Sequence, residues 1–101
     1  MDNEHKNETM NILGIYDNGD RTMDRYTVIY DLPATIIPGE TLYCGLGMSD
    51  NPFHPQGFCQ HGEVHPDADL GRQITFAELP ADCQKAVEND LDIRREHDIT
   101  H

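Results

Sequence analysis

The chain has 101 residues, with 19 Asp and Glu against 7 Lys and Arg, a formal net charge of -12, 37% hydrophobic residues and no tryptophan. A chain of this length holds one small domain and excludes two, because it buries only about 60–65% of the surface it exposes when unfolded. The charge excludes direct electrostatic binding of nucleic acid or of an anionic membrane, since every phosphate contact would work against repulsion from the rest of the molecule; a basic protein surface is the partner it accommodates.

Residues 1–9, MDNEHKNET, are polar, offer nothing to pack and read as a flexible arm without the apolar core of a signal peptide. Asn11–Tyr16 and Arg25–Asp31 (RYTVIYD) are rich in β-branched, aromatic and aliphatic residues and predict two strands. Between them, DNGDRTMD supplies Asn18-Gly19 for positive φ and Asp and Thr side chains that bond nearby amides, so a hairpin loop of more than minimal length is expected. Tyr26, Val28 and Tyr30 alternate with Thr27 and Ile29, and neither face of that strand is strongly polar, which places it inside a sheet. Leu32-Pro33 and Pro38-Gly39 bracket a connection, and Thr41–Met48 predicts a third strand weakened by Gly45 and Gly47.

From Ser49 to Arg72 the periodicity disappears, and the segment carries three prolines, three glycines and three histidines with Phe53, Phe58 and Val64 as isolated apolar anchors. A connection this long inside a small domain reads as a packed binding loop, here crossing an edge or end of the sheet. Gln73–Phe76 is a candidate fourth strand. Leu79, Cys83, Ala86, Val87 and Leu91 then recur at 0, 4, 7, 8 and 12, one face of a helix over about 79–94. Pro80 suits its first turn, Asp82 its positive end, and Arg94 and Arg95 its negative end. Residues 95–101 read as a polar tail. The expected fold class is α+β: one domain over 10–94, with a small three- to four-stranded, mainly antiparallel sheet and one C-terminal helix packed on it.

Four groups of residues invite a chemical reading. Cys44, His54, Cys59, His61 and His65 are types that ligate zinc, four of them crowded into residues 54–65. No two-knuckle spacing is complete, and Pro66 and Gly62 keep His61 and His65 off a common helix face, so solvated or core-edge histidines are the competing account. Cys59 with His61 or His65 has the elements of a thiol nucleophile and base, but no oxyanion donor or orienting third group can be named; the odd cysteine set, without a C-x-x-C pair, fits a reducing cytoplasm. Cys83 lies on the apolar stripe and is expected to act as a small hydrophobe. The Asp17, Asp20 and Asp24 cluster lacks the closing acid of a calcium loop and is accounted for by turn chemistry. Finally, Glu78, Asp82, Asp92 and Glu96 fall on one side of the expected helix, interrupted by Lys85. Such a carboxylate stripe can imitate the spacing of phosphates and occupy a basic groove; as a plain solvated face it would only keep the chain soluble.

The strings ILGIYDNG, DRYTVIYD, MSDNPFHPQGF and LPADCQKAV resemble small proteins of unassigned function encoded by bacteriophages and mobile elements. What the resemblance implies is a context in which small acidic proteins bind and inhibit a host protein. The leading expectation is therefore a non-enzymatic, cytoplasmic binding protein that engages a basic protein surface, without cofactor, through Glu78, Asp82, Asp92 and Glu96. The alternatives are a metal-dependent or thiol enzyme built on the 54–65 loop, with zinc as the candidate metal, and a structural homodimer joined through a sheet edge.

Overall fold

The β-branched and aromatic runs form strands where their alternation predicts them, and the computed structural model describes residues 12–99, with side chains as far as Ile93. The expected 1–9 arm lies outside the described residues. In chain order the elements are β1 (Ile12–Asp17), β2 (Tyr26–Ile37), β3 (Glu40–Met48), β4 (Cys59–Val64), β5 (Arg72–Ile74), a 3-10 turn (Phe76–Glu78) and α1 (Ala81–Ile99). The strands make one antiparallel sheet in the order β4-β3-β2-β1-β5, so β2 is internal as expected. The class is α+β, with five strands rather than three or four.

The additional strand comes from the segment expected to be loop. CQHGEV shows no apolar alternation and is almost wholly exposed, yet it pairs in unbroken register with β3 from Tyr43↔Val64 to Met48↔Cys59. The hairpin that precedes it is closed by the Ser49 amide donating to the Phe58 carbonyl at 2.8 Å and the Phe58 amide donating to Ser49 Oγ at 2.9 Å. Only residues 65–71 then remain to carry the chain from β4 at one edge of the sheet to β5 at the other. Phe53, read as an anchor, is 54% exposed.

β2 also runs further than its sequence indicates. Leu32-Pro33 is not a connection; it lies within the strand, between two register shifts at Ile29/Pro33 and Pro33/Thr35. A bulge is where a strand tolerates a residue that has no amide to donate. The turn is Pro38-Gly39, with Gly39 at φ +79, between the paired Ile37 and Glu40.

One face of the sheet is covered by α1. Ile15, Tyr26, Val28, Tyr30, Leu46, Met48 and Ile74 pack beneath Leu79, Cys83, Ala86, Val87 and Leu91, so the helical periodicity predicted the packing face correctly. The helix starts two residues later than predicted. Proline disfavours the α conformation in the residue before it, and Leu79 is accordingly extended at ψ 145, while the Pro80 carbonyl accepts the first helical bond from the Gln84 amide at 2.9 Å. The helical backbone continues to Ile99 through a stretch without glycine or proline.

On the other face Ile29 is only 2% exposed although no helix covers it. It stands in a row between Gly14 and Gly45. The Tyr16 ring lies over Gly14, 2.9 Å from where a Cβ would stand, and the Val64 side chain lies over Gly45. Glycine at these positions lets the neighbouring Tyr16 and Val64 side chains fold flat on the sheet beside Ile29.

The β1–β2 connection is held by charge. Asp17, 11% exposed in its side chain, accepts from Arg25 Nε at 2.9 Å and Nη2 at 3.3 Å and from the Gly19 amide at 2.8 Å. The Arg25 guanidinium, foremost among these, holds the Asp17 carboxyl below its ordinary pKa. A carboxylate with a lowered folded-state pKa stabilises the protein above its unfolded pKa and loses that contribution as pH falls through the folded value. As pH falls below about 4, therefore, wild type should lose more stability than Asp17→Asn in urea titrations; parallel pH profiles would exclude this role.

Candidate functional site

Burying Cys83, Ala86, Val87, Asp90 and Leu91 against the sheet turns Asp82, Lys85, Glu88, Asn89 and Asp92 outward on α1. Two of the four expected contact acids, Asp82 and Asp92, thus lie exposed on one rigid element. Glu96 lies on the same helix, and its side chain is outside those described. Glu78 is placed differently: it closes the 3-10 turn before the helix, where its carboxylate accepts from the Thr75 amide at 2.8 Å and hydroxyl at 3.2 Å and lies 3.8 Å from Arg72 Nη1. The Thr75 amide is the main cause of its lowered pKa. The carboxylate of Glu78 therefore serves as a cap, and the outward acidic face begins at Asp82.

Asp90 is not among the residues singled out by the helical spacing. It sits seven residues after Cys83, in the middle of the apolar stripe, and is 6% exposed. Its Oδ1 lies 2.5 Å from Nε2 of His61, which reaches it from β4. A charged residue at a stripe position was the signal that could have located it, because a buried carboxylate needs a polar partner. The pair ties the edge strand to the helix and assigns His61 a structural contact.

His54 and His65 are each engaged separately. His54 Nδ1 accepts from the Gln56 amide and His65 Nδ1 from the Asp67 amide, each at 3.1 Å, with His65 Nε2 3.7 Å from Glu40. The structure does not bring His54, Cys59, His61 and His65 together, and among the described residues no three His, Cys, Asp or Glu side chains converge as metal ligands. Burial, and secondarily Asp90, pushes the Cys59 thiol up; burial pushes Cys83 up to about 12, and Cys83 Sγ donates to the Ser49 carbonyl at 3.2 Å. Thiol catalysis needs a thiolate, and both shifts favour the protonated form.

The charge has a spatial pattern beyond the helix. No lysine or arginine occurs between Arg25 and Arg72, whereas Asp31, Glu40, Asp50, Glu63, Asp67 and Asp69 all fall in that interval. That interval supplies all of β2, β3 and β4 and the 65–71 crossover, so none of these segments carries a lysine or arginine of its own, and the Arg21 guanidinium reaches the crossover from the β1–β2 loop, 3.9 Å from Asp69. Beneath the crossover, on the face away from α1, a groove of about 360 Å³ has Gly45, Gly47 and Gly62 in its floor, Phe58 and Leu70 beside it, and Asp24 at one end.

These features define an antiparallel five-stranded sheet covered on one face by a helix whose outer side carries Asp82, Glu88 and Asp92 together with Lys85. No protein-family model, curated protein or solved structure matches the chain at a significant level. Among the described residues no helix is long and apolar enough to cross a membrane.

Proposed function

We propose that this chain is a small acidic, non-enzymatic binding protein that engages a basic protein surface, in the manner of a phage or mobile-element inhibitor or a nucleic-acid mimic. The observation that carries this reading is the helix α1, whose apolar face is locked onto the sheet while Asp82, Glu88 and Asp92 are held outward at fixed spacing. Exposed ion pairs contribute only about 0–1 kcal/mol each, so several must act together, and their larger effect is to steer the encounter.

A partner captured on the immobilised full chain should be basic. Raising the salt from about 0.05 M to about 0.5 M should weaken its binding at least tenfold, as screening shortens the reach of surface charge. The triple substitution Asp82→Asn, Asp92→Asn, Glu96→Gln should weaken binding by about tenfold at low salt and flatten the salt dependence. Salt-independent binding, or full affinity in the triple variant, would remove the acidic helix from the interface.

A further inference from the structure

We infer that β4 is a docking edge: an extended basic segment of the partner adds beside Cys59–Val64 as a sixth strand and sends a Lys or Arg side chain into the glycine-floored groove. This rests on the basic-partner reading above and specifies how part of that partner is held.

An edge strand presents a row of outward backbone N–H and C=O groups, and proteins usually blunt such edges with lysine, proline, bulges or very short strands. β4 has none of these. It ends the sheet, contains neither lysine nor proline, and keeps continuous register with β3 over six residue pairs. The opposite edge is protected, since β5 has three residues and begins with Arg72. The two ends of the same sheet are therefore built differently, and only β4 offers a straight template for strand addition.

Side chains of an added strand would alternate between the two faces of the sheet. On the α1 side they meet Cys59, His61 and Glu63. On the other side they meet Gly62, where a Cβ would find no atom within 4 Å, and beyond it the groove over Gly45 and Gly47. The carboxylate of Asp24 overhangs Gly47, with Oδ2 3.3 Å from where a Cβ would stand. Val64 lies over Gly45 and Asp24 over Gly47, so a long cationic side chain would enter over the open Gly62, run its methylenes past Val64 and reach toward the Asp24 carboxylate, with no Lys or Arg on β3 or β4 to oppose it. The same charge disfavours a second copy of this chain as the occupant, because edge pairing would set Glu63 and the rest of a -12 surface against their own like.

The test uses the full chain, isotope-labelled, and an acetylated peptide of alternating Arg and Thr, alongside two analogues N-methylated on alternate residues in opposite frames. Binding should shift and protect the backbone amides of 59–64. One N-methylated frame should bind about tenfold or more weakly and the other nearly as well as the parent, because only one frame points its amides at β4. Asp24→Asn should weaken the parent peptide about threefold. Gly62→Val, which has room to fold, should weaken it by a similar factor or more by narrowing the channel entrance. Equal binding of both methylated frames, or shifts confined to α1, would overturn the docking edge and leave the basic-partner reading standing. Failure to bind the peptide while poly-L-lysine still binds in a salt-dependent way has the same meaning. Failure of both probes would overturn the broader reading as well. Concentration-dependent protection of 59–64 in the chain alone would instead assign the edge to a second copy.

Discussion

Replacing Leu46 with alanine should lower the unfolding free energy by about 3–4 kcal/mol, within the range for deleting a buried aliphatic side chain and leaving its cavity. Leu46 is 1% exposed and lies in the C-terminal half of β3, paired with Val28 on one side and His61 on the other. The main core is a single contact layer between one helix and one sheet face, so a void at its centre can be refilled only by moving α1 or by breaking the ladders on both sides. For a domain of this size the loss is a large fraction of a total of about 5–10 kcal/mol. Ile36→Ala provides the contrast: Ile36 is 74% exposed on the outer part of β2, and its truncation should change stability by less than about 0.5 kcal/mol. Urea unfolding with an unchanged slope is the measurement, and similar effects at the two sites would contradict the assignment of the core to the α1 face.

Gly71→Ala should cost about 2–4 kcal/mol. The residue stands at φ +99, where the crossover enters β5, and a Cβ there would strike the Asp17 carbonyl oxygen and lie 2.6 Å from Asn18 Cα. These are backbone atoms of the charged β1–β2 turn and cannot rotate away as a side chain could. Gly19→Ala separates the two contributions, because Gly19 also has positive φ, at +72, but a Cβ there meets nothing within 4 Å. Only the conformational cost of about 1–2 kcal/mol should then appear. Thermal or urea denaturation of the two variants gives the comparison, and equal losses would mean that the close approach at Gly71 is relieved by a shift of the crossover.

The elements that could be read locally were those whose burial leaves a period in the residues. Leu79, Cys83, Ala86, Val87 and Leu91 identified both the helix and its buried face, and Tyr26, Val28 and Tyr30 identified an internal strand. Asp17, Asn18 and Gly19 announced a turn because their preferences are set by atoms within a few residues. β4 left no such trace. An edge strand exposed at nearly every position is under no demand for apolar alternation, and CQHGEV is a strand only because β3 offers its free side. Leu32-Pro33 misled for a related reason, since proline marks a break in an isolated segment and here occupies a bulge that the neighbouring strand accommodates.

The candidate site divides in the same way. Asp82 and Asp92 were legible because a helix with one buried face must expose the opposite one. Glu78 was displaced from that face by Pro80, which ends the preceding turn and lets Thr75 and Arg72 occupy its carboxylate. The pairing of Asp90 with His61 joins residues 29 positions apart in the chain, and the glycine-floored groove joins β3, β4, the β1–β2 turn and the crossover. By itself the sequence determined the excess of negative charge and the apolar face of the helix, because those follow from composition and from spacings of a few residues. The tertiary structure alone decided which edge of the sheet stays open, which acid is buried and where the charge lies in space, because each depends on contacts between segments that have no local preference for one another.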